Sequence, residues 1–369
     1  MRSGGARAET AEGPPAAPAV GMPAGRGRTR KTRRYGRLRP GDTVAVVAPS
    51  GPADPARLEA GCAALRGLGL DAVVAGHALD RVNLGAPGPV RGDWHRLAGS
   101  DADRAADLQD AWCDPRVRGV VCARGGYGAT RVLDHLDWDA LAAAADASAA
   151  PKILHGSSDI TALHAAFGTR LGVTTSFGPM PAGVLAEDRP DGDTLAALRT
   201  ALFGGPVTLP GTHALRPGRA EGPLTGGTLS LLTALLGTPY APPPAAGRIA
   251  FLEDVTEAPY RIDRMLVQLL QAGWFDGAAG VALGSWRDCG DPAELDAVFA
   301  ARLGPLGVPV LAGVPAGHGP RQLTLELGAR AVLTAAPPPP HTPLDPLDPR
   351  PAVPEPGALT LEAPSGGAR

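Results

Sequence analysis

The sequence predicts an α/β fold, with an N-terminal open parallel sheet flanked by helices and a smaller C-terminal α+β domain behind it. Three observations carry the prediction. Apolar runs ended by turn residues alternate with segments of helical period up to about Gly178. The pattern changes at Gly222, after which short strands and amphipathic stretches follow one another less regularly. The length, 369 residues, is enough for two domains of ordinary size.

Residues 1–37 are low in apolar content and end in the basic run Arg26 to Arg34. Such a run reads either as an arm for anionic surfaces or as a disordered leader, with Met22 as an alternative start. The leader reading is adopted, with order beginning near Leu38. In the first domain, residues 38–180, Thr43 to Ser50 is an apolar run suited to a strand buried on both faces. Pro55 to Leu68 places Leu58, Cys62, Leu65 and Leu68 on one helical face. A strand is predicted over Asp71 to Ala75, a helix over Ala102 to Trp112, a strand over Gly119 to Ala123 and a helix over Thr130 to Leu136. Ile153 and Leu154 end a core strand, and Ile160, Leu163 and Phe167 recur at helical spacing just beyond it.

Residues 181–221 are mixed and Pro-rich and read as a linker. In the second domain, 222–335, Gly226 to Leu236 is an apolar helix, and Gly247 to Glu253 is a strand ending in an acid. Tyr260 to Ala272 is amphipathic. Gly280 to Ser285, Val308 to Leu311 and Leu323 to Leu327 are short strands. The 336–357 segment is too rich in proline for a sheet or helix interior and reads as an insertion. Residues 358–369 supply a closing strand, Ala358 to Glu362, and a tail.

The composition excludes several classes of function. A formal net charge of −2 gives no global argument for a nucleic-acid or membrane partner. No run of about 18 apolar residues suggests a transmembrane helix. The four cysteines, Cys62, Cys113, Cys122 and Cys289, are scattered without paired spacing. They argue against a metal site or disulfide framework and fit a reducing cytoplasm.

The chemistry centres on Gly156-Ser157-Ser158-Asp159, a tight turn between a strand and a helix. A turn of this kind ejects one side chain and leaves free N–H groups at the helix start, as a serine nucleophile requires. Taken alone, the segment favours Ser158 or Asp159 simply capping the helix over a nucleophile. Arg124-Gly-Gly-Tyr-Gly128, also between strand and helix, reads as a phosphate loop, an oxyanion loop or a plain tight turn. Ser50, Arg124 and Ser158 each follow a strand end and so can share one rim of the sheet. A serine nucleophile needs a base and the base an orienting acid. His318 sits in the glycine-flanked loop Ala316 to Gly319; Glu253, Asp254 and Glu257 are candidate acids. His155 falls within a strand and His164 on a packed helix face.

Five segments then come together: RGGYGATRVL from Arg124, GSSDITAL from Gly156, Gly226-Gly227 with Leu229, Leu232 and Leu235 before Gly237-Thr-Pro239, FLEDVTEAPYRIDRML from Phe251, and AGHG with TLELG from Ala316. In this order they resemble the L,D-carboxypeptidases, the muramoyltetrapeptide carboxypeptidase family of serine peptidases that also includes microcin-C immunity peptidases. The resemblance spans about residues 40–335. It implies a cytoplasmic homodimer with no metal or cofactor. It also implies a triad of Ser158, Glu253 and His318, with Glu257 the lesser candidate for the acid, and the backbone N–H groups of Gly126 and Asp159 as oxyanion donors. Three positions depart from the family pattern: Ser157 stands where an aromatic or His is usual, Thr228 replaces Asn, and Glu326 replaces Pro.

The implied reaction releases the terminal D-alanine of a murein tetrapeptide by acyl transfer through Ser158 during cell-wall recycling, and Arg124 suits the terminal carboxylate. Two rivals stay open: hydrolysis of a toxic aminoacyl-nucleotide amide, which an aromatic able to stack a base would favour, and a non-catalytic ligand-binding module.

Overall fold

The computed structural model describes residues 32–84, 96–336 and 357–361. Its elements, in chain order, are β1 (Thr43–Val47), α1 (Pro55–Gly67), β2 (Asp71–Val74), α2 (Asp101–Cys113), β3 (Val117–Cys122), α3 (Ala129–Val132), α4 (Trp138–Ala147), β4 (Ile153–Gly156), α5 (Thr161–Leu171) and β5 (Thr175–Phe177). There follow α6 (Gly192–Phe203), β6 (Val207–Pro210), β7 (His213–Arg216), β8 (Gly218–Thr228), α7 (Leu229–Ala234), β9 (Ile249–Val255) and α8 (Pro259–Gln271). The chain closes with β10 (Gly280–Arg287), α9 (Pro292–Leu303), β11 (Val310–Ala312), β12 (Leu325–Leu327), β13 (Arg330–Ala335) and β14 (Gly357–Leu361).

The first sheet has the order β12-β5-β4-β3-β1-β2. Strands β1 to β5 pair in parallel, as their near-continuous apolar runs require once helices cover both faces. Local signals agree with the helices between them. Asp54 caps α1 by accepting from the Arg57 N–H at 2.9 Å, Pro55 occupies the first turn, and Leu58, Cys62 and Leu65 are buried. Trp112 of α2 and Phe167 of α5 meet edge to face at 4.8 Å beneath the sheet.

The second sheet has the order β6-β14-β13-β8-β9-β10-β11-β7, with β8 to β11 parallel and the flanking strands antiparallel. It departs from the expected layout in three ways. Residues 181–221 are more than a linker, since they hold α6, β6, β7 and the start of β8. The segment expected as a helix from Gly226 continues β8 through Thr228 before α7 begins. The Leu325–Leu327 strand crosses to the first sheet and pairs antiparallel with β5, so the chain interlocks the two units. The predicted closing strand is present as β14, between β13 and β6. The Pro-rich stretch at 337–356 lies outside the described residues.

The end of the basic run is part of the fold, and order starts before Leu38. Arg33 donates to the carbonyls of Ala145 and Ser148 at 3.0 and 2.8 Å, and Tyr35 is buried. Arg34 and Arg37 both pair with the buried Glu326 carboxylate, which also accepts from Thr174 Oγ1 at 2.8 Å. These partners account for an acid at position 326, where the resembled family has proline.

Replacing Glu326 by Ala removes the carboxylate shared by Arg34, Arg37 and the Thr174 hydroxyl, while Arg37 keeps its bond to the Ala201 carbonyl and Thr174 Oγ1 still accepts from the Tyr35 N–H. The expected cost is about 1–3 kcal/mol, discounted for the arginines' contact with water. Equilibrium denaturation checks it, and Arg34→Ala in the same background should add little further loss.

Candidate active site

Strand β4 delivers the chain to Ser157 in an extended conformation, and Ser158 then takes a φ of 62°. The left-handed region costs a non-glycine residue about 1–2 kcal/mol, so the surroundings must hold it there. A single 3-10 turn from Ser158 to Ile160 leads into α5. This strained strand-to-helix turn is the arrangement that lifts a serine hydroxyl out of a sheet. The Arg124–Gly128 loop presses against it. A Cβ on Gly125 would stand 2.8 Å from Ser158 Cβ and 3.3 Å from the Asp159 nitrogen, so only glycine fits.

The carboxylate of Asp159 does not cap its own helix, as the capping reading had it. It is buried and accepts from Ser50 Oγ at 2.6 Å and from the Ala129 N–H at 2.8 Å. Asp159 therefore ties the turn after β1 and the start of α3 to the elbow. The reason is reach: its side chain faces the neighbouring strand ends of the parallel sheet rather than its own first turn. The buried Arg104 guanidinium completes this layer by donating to the carbonyls of Pro49 and Gly128. The glycine loop is thus fixed by main-chain and buried polar contacts at both ends. Burial raises the Asp159 pKa, against the bonds from Ser50 and Ala129 and the charge of Arg104.

Glu253 comes from the other sheet, at the carboxyl end of β9, and is fully buried. Its Oε2 accepts from His318 Nδ1 at 2.7 Å and from the His318 backbone N–H at 3.1 Å. With the carboxylate at Nδ1, the neutral ring keeps its proton there and leaves Nε2 as the accepting nitrogen. The loop that carries His318 is tightly held. Gly317 has a φ of 105°, and a Cβ there would stand 2.3 Å from Glu253 Oε2. The Gly319 N–H donates to Ser285 Oγ at 2.9 Å. Burial of His318 would lower its pKa, but the hydrogen bond and charge of Glu253 outweigh it and the net shift is upward.

The structure separates the candidate acids. Glu253 meets the histidine, whereas Glu257 pairs with Arg261 at 3.2 Å. Asp254 accepts from the Ser230 and Val255 N–H groups, and burial pushes its pKa up to about 6. Thr228 is the partner that sequence reasoning missed. Its hydroxyl donates to Glu253 Oε1, and its backbone N–H donates to Thr161 Oγ1 at 3.1 Å. In sequence the position stands out only as a departure from asparagine, yet either residue type can donate to a carboxylate. His155 and His164 are core residues, bonded to Pro179 and Gly156 carbonyls, and burial lowers both to about 4.

Ser158 and His318 line one cleft of about 440 Å³ together with Gly126, Arg124 and Arg57. Glu187 and Gln322, from segments without a legible motif, also face it. Among the described residues no group of His, Cys, Asp and Glu could hold a metal ion. None of the described helices is long and apolar enough to cross a membrane.

A serine on a strained elbow, facing a cleft shared with a carboxylate-anchored histidine, is an arrangement that can support acyl transfer in a hydrolase. Comparison with known proteins narrows this. Residues 44–178 match the LD-carboxypeptidase N-terminal domain and residues 221–333 the LD-carboxypeptidase C-terminal domain, so the chain belongs to the LD-carboxypeptidase family. A putative carboxypeptidase of Streptomyces coelicolor is 51% identical over 310 residues, covering 83% of this chain and 94% of that protein. The murein tetrapeptide carboxypeptidase of Pseudomonas aeruginosa is 33% identical over 304 residues, covering 79% and 92%. The crystal structure of an MccF-like protein from Bacillus anthracis superposes with a TM-score of 0.73 over 89% of this chain and 99% of that one. At 22% identity the superposition establishes the shared fold. The protein is a peptidase of this family, with L,D-carboxypeptidase activity.

Proposed function

We propose that the protein releases terminal D-alanine from murein tetrapeptide through a Ser158–His318–Glu253 acyl-enzyme mechanism, as a step in cell-wall recycling. The observation that carries the mechanism is the 2.7 Å bond from His318 Nδ1 to a fully buried Glu253, in a cleft shared with the left-handed Ser158. The substrate assignment draws on the murein tetrapeptide carboxypeptidase of Pseudomonas aeruginosa.

His318 Nε2 takes the Ser158 proton as Oγ attacks the carbonyl of the bond preceding D-alanine. The oxyanion that forms is met by the N–H groups of Asp159 and Gly126, fixed beforehand by the Asp159–Ser50–Ala129 bonds. Glu253 stabilises the imidazolium, which then gives its proton to the departing amine. Water repeats the sequence on the ester, releasing the tripeptide acid and restoring Ser158. Among the described residues the cleft has no aromatic wall, and Tyr127 belongs to an adjoining cavity. That favours a peptide over a substrate whose base must stack.

Incubation with murein tetrapeptide should release D-alanine, and Ser158→Ala should lower turnover by about 10³-fold or more. Chromatographic detection of D-alanine decides the matter. No release by folded wild-type protein overturns the substrate assignment, and full activity of Ser158→Ala overturns the mechanism.

The pH profile follows from the upward shift at His318. Only the neutral ring accepts a proton, so kcat/KM should fall as pH drops through a pKa above the ordinary value of about 6.5. Glu253→Gln removes the main raising influences and leaves burial opposed only by the charge of Asp254, so the acid limb should move to lower pH while the rate falls by about 10²–10⁴. A limb that stays in place contradicts the assignment of base and acid.

A further inference from the structure

The catalytic cleft carries positive charge that the triad does not use. Arg57 stands in the first turn of α1, and its side chain is held by two main-chain carbonyls. Nε donates to Ala182 at 3.0 Å and Nη2 to Gly183 at 2.7 Å. Arg124 is held the same way, with Nη1 donating to the Pro52 carbonyl at 3.1 Å. Each guanidinium has five N–H donors, so these bonds fix both forks while leaving donors to spare. Neither forms an ion pair among the described residues. Asp54 and Glu187 also line the cleft, but the Asp54 carboxylate is engaged by the Arg57 backbone N–H, and Glu187 lies beyond ion-pair distance of both.

Both guanidiniums are exposed at one cleft, where two like charges repel. Arg124 accordingly has its pKa lowered, first by desolvation and then by the charge of Arg57. An anionic ligand relieves both costs. The same cleft holds the Ser158 hydroxyl, so the anion belongs to the molecule whose amide is attacked. A planar fork suits a carboxylate, and the shared cleft places that carboxylate near the scissile bond.

Building on the function proposed above, we infer that Arg57 and Arg124 together form the subsite for the substrate's terminal carboxylate, with Arg57 as a specificity-determining residue. The pair makes the enzyme an exopeptidase: a C-terminal amide, or a chain that continues, brings no charge to the site. Sequence alone pointed to Arg124. Arg57 joins it because α1 and the Ala182–Gly183 turn are brought beside the glycine loop only in the fold.

Isothermal titration of the Ser158→Ala protein with murein tetrapeptide and with its C-terminal amide tests this without turnover. The free acid should bind at least about tenfold more tightly than the amide, and added Arg57→Gln should remove most of that preference while leaving amide affinity within about twofold. Equal binding of acid and amide to the Ser158→Ala protein overturns the inference whether or not Arg57→Gln folds. Arg57→Gln weakening both ligands alike overturns it too. Wild-type release of D-alanine reports on the parent reading separately. Release without acid–amide discrimination removes the clamp alone, and discrimination without release removes the murein assignment alone. If neither ligand binds, both fall.

Discussion

The proposed nucleophile and its proposed base are carried by different sheets, so everything at this site depends on how rigidly the two sheets are held in register. Ser158 follows β4 of the first sheet, while Glu253 and the loop carrying His318 belong to the second. A shift of about 1 Å between them would break the proposed proton path. Several contacts fix the register. Phe177 of β5 meets Phe251 of β9 edge to face at 5.4 Å, two residues before Glu253. Thr228 bonds to Thr161 behind the elbow and to Glu253 on the far side, so one residue links both halves. Strand β12 crosses from the second unit to complete the first sheet, and Glu326 on it is clamped by Arg34 and Arg37.

Strain at Ser158 is tolerated because its neighbours leave it no alternative. The glycine loop fills the space in front of the elbow, and the Asp159 carboxylate bonds it to Ser50 and Ala129 behind. Buried polar groups are costly when unpaired, and here Asp159 accepts from Ser50 Oγ and the Ala129 N–H while Arg104 Nη1 donates to the Pro49 and Gly128 carbonyls, all in the loops that line the site. The same atoms that stabilise the fold therefore hold the candidate oxyanion donors in place before substrate arrives. Preorganisation of this kind is where most electrostatic catalysis originates.

Much of this was legible in the sequence where local signals are strong. The runs of β1, β3 and β4, the caps and periodicity of α1 and α2, and the elbow itself all declare themselves over a few residues. The 181–221 stretch did not, because β6 and β7 are four residues each and the pairing that makes them strands is with β14 and β11. Nor could β12 be assigned to a sheet from three residues, since its register depends on β5, about 150 positions away. Ser50 was placed on the rim from its strand end, but its bond to Asp159 spans 109 positions and has no local signature. The choice of Glu253 over Glu257 rested on resemblance until the structure set Glu253 against His318 and Glu257 against Arg261.

If Ser158 is the nucleophile, it becomes transiently acylated by the substrate. Acid-quenched enzyme taken during turnover of murein tetrapeptide, measured by intact mass and then peptide mapping, tests it directly. The account predicts one adduct, of the tetrapeptide less D-alanine, on Ser158 and absent from Ser158→Ala. An adduct mapped to Ser157 or any other residue, or D-alanine release that persists in Ser158→Ala, would contradict it.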